Sequence, residues 1–272
     1  MQYQRHIDPE GDDSLALLLR RIPRGASVLE LGPATGYCSR YLHDVLGCTV
    51  DAIELSAAMA EQARPSCRRL LVGDVEELNL AQALGGEHYD VILCADVMEH
   101  LRDPWALAGR LAERMAPDGR LLLSVPNVGY LGLLVDLLRG NFRYRDEGLL
   151  DRTHLRFFTL ASLRELLEQS GWHLWSTEQV ALSLTDSEFG FASRRCPPPC
   201  ATSFWRARTR CATNGSSRPG GRRRRNRRCC RRGRRRTVFR CAYSGVIATP
   251  VSTIRVTAWH GPLWGASANP LS

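Results

Sequence analysis

The chain has 272 residues, 44% of them hydrophobic, enough for one large domain or one and a half small ones. Its formal charge of +9 hides a split: residues 1–190 carry 18 Arg and all 28 acids, a net −10, whereas residues 191–272 carry the other 19 Arg and no acid, a net +19. The polar start MQYQRHIDPEGDD reads as no signal peptide, the apolar stretch VGYLGLLVDLL is too short for an integral membrane segment, and four scattered cysteines (Cys38, Cys48, Cys67, Cys94) suit a reducing, cytoplasmic setting rather than a disulfide framework.

Residues 1–13 read as a lead-in. A short helix is predicted over 14–21, with Leu15, Leu18 and Leu19 on one face, and Pro23 and Gly25 break it. Strands and helices then alternate. SVLEL is a strand, 34–46 a helix, CTVDAIEL a strand, SAAMAEQAR a helix closed by Pro65, and RRLLVGD and HYDVILCAD are strands. A helix over 104–115 leads to the strand GRLLLSVPN. These strands are apolar nearly throughout, as burial on both faces requires, so an α/β, Rossmann-like, mostly parallel sheet with helices on both faces is expected. After Asn127 come a helical run and a charged, aromatic segment. ASLRELLEQSG follows as a helix with Thr159 or Ser162 as cap and Gly171 at its end, and then the strand WHLWSTEQV. Past Phe191 no periodicity is usable, and the last strand of a C-terminal antiparallel edge is expected to be missing, leaving that edge incomplete and prone to self-association.

Acids gather where strands end. Glu30-Leu31-Gly32-Pro33-Ala34-Thr35-Gly36 closes the first strand, and small residues at 32 and 36 let the backbone approach a ligand. The alternative is an ordinary strand-to-helix turn. The loop lacks both the dinucleotide fingerprint and the Gly-Lys-Ser/Thr of a phosphate loop, so a pyrophosphate is not its natural guest. Glu54, with Leu55, ends the second strand 22 residues after Gly32, one strand–helix–strand passage away. A carboxylate there can accept both ribose hydroxyls of a nucleoside, or simply begin a helix. Asp74 and Val75 end the third strand; they can read an adenine amine and ring nitrogen, and Asp74 can also cap a helix over 75–80. Asp96, Glu99 and His100 follow the fourth strand. Ligands bind at the carboxyl ends of such sheets, which makes four unrelated turns the poorer account.

On these motifs the chain resembles a class I S-adenosylmethionine-dependent methyltransferase over about residues 14–190. VLELGPATG resembles that family's first motif, with Pro33 where Cys or Ser is common. Glu54 stands at its ribose-binding acid and Asp74 at its adenine-facing acid. CADVMEHLRDP resembles the small-molecule subgroups that include ubiquinone-type enzymes, and LLDRTHLRFFTLASLRELLEQSGW a subgroup found beside sugar, cell-wall and O-antigen biosynthesis enzymes, alone or fused to glycosyltransferases. The resemblance implies S-adenosyl-L-methionine as cofactor, held by Glu30, Gly32, Pro33, Ala34, Gly36, Glu54, Leu55, Asp74, Val75 and Asp96. It also implies a small-molecule, saccharide or lipid-linked acceptor under a lid at 127–160. For a hydroxyl acceptor, His154 is the preferred base and His100 the second candidate, since imidazole titrates near working pH. His154 can alternatively brace the turn between Asp151 and Arg156. Tyr130, Arg143, Tyr144 and Arg145 are candidate acceptor contacts, suited to a phosphate or carboxylate, or to a solvated edge.

The tail packs 11 Arg into 222–236. One reading is a nucleic-acid-binding arm, which would make nucleic acid the partner. The other, preferred because the chain has no Lys and the tail no acid, is an out-of-frame stretch of a GC-rich gene. A non-catalytic cofactor-binding remnant is the third alternative. Cys196, Cys200, Cys211, Cys229, Cys230 and Cys241 are spaced too irregularly for zinc, and no metal-ligand set is evident.

Overall fold

The run SVLEL forms β1 (Ser27–Leu31), and the other apolar runs give β2 (Thr49–Glu54), β3 (Arg69–Val72), β4 (Tyr89–Ala95), β5 (Met115–Pro126) and β6 (His173–Ala181). A seventh strand, β7 (Val251–Trp259), lies far along the chain. The structure, a computed structural model, describes residues 7–181, 187–189 and, as backbone, 251–259. Among these residues the strands form one sheet in the order β3-β2-β1-β4-β5-β7-β6. β1 to β5 run parallel, and β7 is antiparallel to both β5 and β6. The strand order reverses between β1 and β4, so a crevice opens at their carboxyl ends.

Side-chain alternation explains why the strands are apolar throughout. Leu29, Leu31, Ile92, Cys94, Leu121 and Leu123 enter one core, where they meet α5 (Pro104–Ala112) and α7 (Leu160–Gln169) through Leu107, Leu111, Leu163, Leu166 and Leu167. Val28, Val50, Val91, Leu93 and Leu122 enter the opposite core, with Leu15, Leu18 and Leu19 of α1 (Ser14–Leu19) and Cys38 and Leu42 of α2 (Tyr37–Asp44). Caps set the helix starts. Asp13 accepts from Ala16 N, Asp103 accepts from Ala106 N ahead of Pro104, and Thr159 and Ser162 together make a capping box. Of the remaining helices, α3 spans Ala57–Ala63, α4 Leu80–Ala83 and α6 Leu131–Leu138. No helix among the described residues is long and apolar enough to cross a membrane.

Three expectations are corrected. The antiparallel edge is not incomplete: β7 pairs Leu121 to Ala258 through Pro126 to Thr253 on one side and the length of β6 on the other. Its sequence VSTIRVTAW is rich in β-branched residues with period-two apolar positions from Ile254 on, a strand signal placed about sixty residues beyond the point where the pattern lapses. The helix expected over 75–80 is a turn, since Asp74 Oδ1 accepts Glu76 N and the capping goes to Asn79, which starts α4. Helix 34–46 begins only at Tyr37, because Ala34 and Gly36 hold left-handed backbone at φ 51° and 77°. The arginine block, the six tail cysteines and the nucleic-acid and out-of-frame readings of the tail lie outside the described residues.

Candidate active site

At the carboxyl end of β1 the chain turns through Gly32 (φ 64°), Pro33, Ala34, Thr35 and Gly36 before α2. This loop folds over Glu54 at the end of β2. Ala34 N donates to Glu54 Oε2 at 2.9 Å, and Ser56 N donates to Oε1 at 2.8 Å. A carboxylate has about four lone-pair positions, so Glu54 keeps acceptor capacity on both oxygens. Gly36 is required for space as well as conformation: a Cβ there would sit 2.4 Å from Ala63 Cα, so α3 packs directly on the loop's backbone. Among the described residues two non-glycines carry positive φ, Ala34 and Asp96 (54°), and both sit beside the β1/β4 crevice. Such strain persists where surrounding bonds over-determine it. Asp96 is fixed from β5, its N–H donating to Ser124 Oγ and O while its Oδ1 accepts the Ser124 hydroxyl at 2.7 Å.

Leu55 follows Glu54 with 72% of its surface exposed, an apolar side chain held at the crevice rim. Asp74 is less free than its position suggests, since Arg102 Nη2 donates to its Oδ2 at 2.7 Å and the same guanidinium reaches Glu76 and Glu77. Val75 packs its side chain against the larger core, and its carbonyl accepts from Arg110. Arg102 is a site residue that sequence reading missed; nothing in HLRDP marks it as the partner of three acids twenty-five to twenty-eight positions earlier.

Glu30 lies on β1 beneath the loop, 4% exposed, and accepts the Ser39 hydroxyl at 2.6 Å. Burial pushes its carboxyl up to about 7, against the lowering effect of Ser39. A folded pKa above the unfolded value means the native chain keeps a proton that the unfolded chain has released, so stability falls as pH rises from about 4.5 to 7 and is flat above. Glu30→Gln removes this dependence. In urea titrations its stability relative to the parent is expected to rise by about 3 kcal/mol between pH 4.5 and pH 8; a constant difference across that range would refute the buried-acid assignment.

Glu99, just past β4, is 1% exposed, and neither carboxylate oxygen has a hydrogen-bond partner among the described residues. Burial drives its pKa well above the ordinary range, with the charges of Asp96 and Asp151 adding to it. His100 and His154, both singled out from sequence, meet edge to face with centroids 4.8 Å apart. The Nδ1 of His154 lies 3.2 Å from Leu149 O, and that of His100 3.2 Å from Thr153 O. Burial and the neighbouring His100 hold the His154 pKa below the usual imidazole value. Within its turn the backbone N–H of His154 donates to Asp151 O, and the ring meets His100.

The four candidate acceptor contacts separate. Tyr130 has no exposed surface and packs with Leu133, Leu149 and Leu150 in a small core of the 127–160 segment. Arg145 donates to Glu188 O and lies over the Phe189 ring, tying that segment to residues 187–189. Arg143 and Tyr144 remain exposed. Tyr144 forms an aromatic patch with Phe142 (5.4 Å), which also meets Phe157 (6.2 Å).

The profile of the family described as "Methyltransferase domain" matches residues 3–177. Ubiquinone biosynthesis O-methyltransferase of Xanthomonas axonopodis pv. citri is 32% identical over 111 residues, 39% of this chain and 45% of that protein. The mitochondrial enzyme of the same description from Schizosaccharomyces pombe is 26% identical over 153 residues, 54% and 55% of the two chains. Malonyl-[acyl-carrier protein] O-methyltransferase of Anoxybacillus flavithermus is 28% identical over 130 residues, 45% and 47%. The chain thus spans about half the length of these curated relatives. A solved structure of magnesium protoporphyrin IX methyltransferase from Synechocystis PCC 6803 is similar at TM-score 0.46 and 22% identity, covering 62% of this chain and 74% of that one.

Proposed function

The chain belongs to the class I S-adenosylmethionine-dependent methyltransferase family, and from that premise we propose that it transfers a methyl group to an oxygen of a small-molecule acceptor. Bound S-adenosylmethionine supplies a methyl group already activated on a sulfonium centre. What the chain contributes is placement, exclusion of water and handling of one proton. The observation that carries the reading is the Gly32–Gly36 loop closed on Glu54, with acceptor capacity left on both carboxylate oxygens at the switch point of the sheet.

These residues fit the cofactor. Glu54 would accept from the ribose hydroxyls, Gly32, Pro33, Ala34 and Gly36 would bring backbone close, Leu55 would flank the base, and the Val75 backbone N–H would reach a ring nitrogen. Asp74 would accept from the base's amine on the lone pairs that Arg102 leaves, Asp96 would add to the acidic lining, and Glu30 would support the loop from beneath through Ser39. On the acceptor side, Glu99, His100 and His154 would ease departure of a hydroxyl proton, with the 127–160 segment as the lid and Arg143 and Tyr144 at the acceptor's edge. The relatives are O-methyltransferases, which supports oxygen as the nucleophile. A saccharide or lipid-linked acceptor, and association with a glycosyltransferase, rest on the likeness of residues 149–172 to the sugar-biosynthesis subgroup.

Calorimetry with S-adenosylhomocysteine tests the cofactor half. One molecule per chain is expected to bind, and transfer of a radiolabelled methyl group to phenolic or sugar hydroxyls then sorts the acceptors. A folded protein that binds neither S-adenosylhomocysteine nor S-adenosylmethionine sinks the reading.

A further inference from the structure

Glu99, His100 and His154 come from two segments more than fifty residues apart, which is why no metal set is evident along the sequence. The fold staples them together. Leu155 N and Arg156 N both donate to Glu99 O, at 2.8 and 3.0 Å. As a result one Glu99 oxygen and one nitrogen from each imidazole lie within 4.8 Å of one another. Bonds of about 2.1 Å to a cation set neighbouring ligand atoms about 3 to 3.5 Å apart, so closing on an ion needs each side chain to move less than about 1 Å.

The hydrogen bonds around the cluster suit ligation. A carbonyl oxygen can only accept, so the bonds to Leu149 O and Thr153 O place the proton on Nδ1 of both rings and leave Nε2 with its lone pair. Metal-bound imidazoles are oriented in this way, by a backbone carbonyl on the other nitrogen. Glu99 supplies the independent sign. A buried carboxylate with both oxygens unpartnered is costly, and a cation beside it would meet both its charge and its empty acceptor positions.

We infer that Glu99, His100 and His154 bind a divalent first-row transition-metal ion, with open coordination positions that take the acceptor's hydroxyl oxygen. Two imidazoles and one carboxylate favour such ions over the purely oxygen-ligated alkaline earths. The ion lowers the pKa of the bound hydroxyl, and the proton leaves to solvent. The histidines then act as ligands and not as bases. The acceptor's part in this rests on the methyl-transfer reading; the ion site does not.

Chelator-treated full-length protein is titrated with Mn2+, followed by electron paramagnetic resonance, and with Co2+, followed by its visible spectrum. About one ion per chain is expected, with affinity reduced at least about 100-fold in Glu99→Gln and in His154→Ala. Glu99→Gln retains the shape of the site and should unfold no sooner than the parent without metal, so a folding defect in His154→Ala leaves the test intact. S-adenosylhomocysteine binding is measured on the same samples. Ion binding without S-adenosylhomocysteine binding upholds the site and removes the methyl-transfer reading. No uptake of either ion at about 1 mM, or equal uptake by Glu99→Gln, overturns the site and returns the imidazoles to the role of direct bases.

Discussion

Glu54→Ala is expected to weaken S-adenosylhomocysteine binding by about 100-fold, equivalent to about 2.7 kcal/mol. Hydrogen bonds to a charged group contribute about 1.5–3 kcal/mol each, and a ribose offers two hydroxyls to one carboxylate. Glu54 suits that task because its residue is 7% exposed, out of bulk water, while its oxygens are steadied by Ala34 N and Ser56 N. The same two bonds complicate the variant, since Ala also removes the acceptors that hold the loop. Thermal unfolding without ligand measures that part separately. Asp74→Asn serves as the comparison. Its carboxylate is more open and shared with Arg102, so its loss is expected to cost less than about tenfold. An Ala variant that folds and binds within about threefold of the parent would contradict the role given to Glu54.

The residues that make this prediction possible were legible in sequence because they obey local rules. SVLEL, TVDAIE and YDVILCA are apolar runs bounded by small or acidic residues, and a parallel sheet buries both their faces. The carboxyl ends of such strands then name Glu30, Gly32, Glu54, Asp74 and Asp96 by position alone. Helix starts were less readable. Asp74 and Asn79 are equally good caps by type, and which one starts a helix depends on where Leu78, Leu80 and Leu84 find the core.

Long-range relations stayed hidden for a different reason. β7 has an ordinary strand pattern, but which strand pairs between β5 and β6 is decided by hydrogen bonding across the sheet and not by nearness along the chain. Glu99 looks like any acid opening a turn. Its burial, and its meeting with His154, exist only once the 149–156 segment folds back onto the end of β4. Arg102 is likewise an ordinary exposed cation until the turn at 74–77 presents three carboxylates to it.

Arg68 provides the second large effect, and it runs against what exposure alone suggests. Asp51, in the middle of β2, has no exposed surface, and Arg68 grips it with Nε on Oδ1 at 2.9 Å and Nη2 on Oδ2 at 2.7 Å while Tyr89 Oη donates to Oδ2 at 2.8 Å. Arg68 itself is 40% exposed on its side chain and has Glu87 as a second partner at 3.4 Å. Removing Asp51 would let Arg68 turn to water. Removing Arg68 strands a buried carboxylate, which is the costlier change. Arg68→Met, which keeps the apolar stem, is therefore expected to lose about 3 kcal/mol at neutral pH. The pH dependence identifies the cause. In the parent, burial pushes the Asp51 carboxyl up, but the Arg68 and Tyr89 bonds outweigh it and hold the pKa below the usual range. That contribution is complete above the unfolded value of about 3.9 and is lost only as pH falls through the lower folded value. In Arg68→Met burial acts with only the Tyr89 bond and the Arg69 charge to oppose it, so the folded value is expected to rise above about 3.9 and the variant to regain stability as pH falls toward 4. The gap between the two proteins should narrow on acidification, and Arg68→Met combined with Asp51→Asn should recover most of the loss at neutral pH. Urea unfolding near pH 7.5 and pH 4.5 reads both effects, and a gap that is the same at the two pH values would show that no stranded charge is involved. Because Asp51 and Glu54 share β2, the same variant is also expected to bind S-adenosylhomocysteine less tightly at neutral pH, through the strand that presents Glu54 and not through any contact of its own.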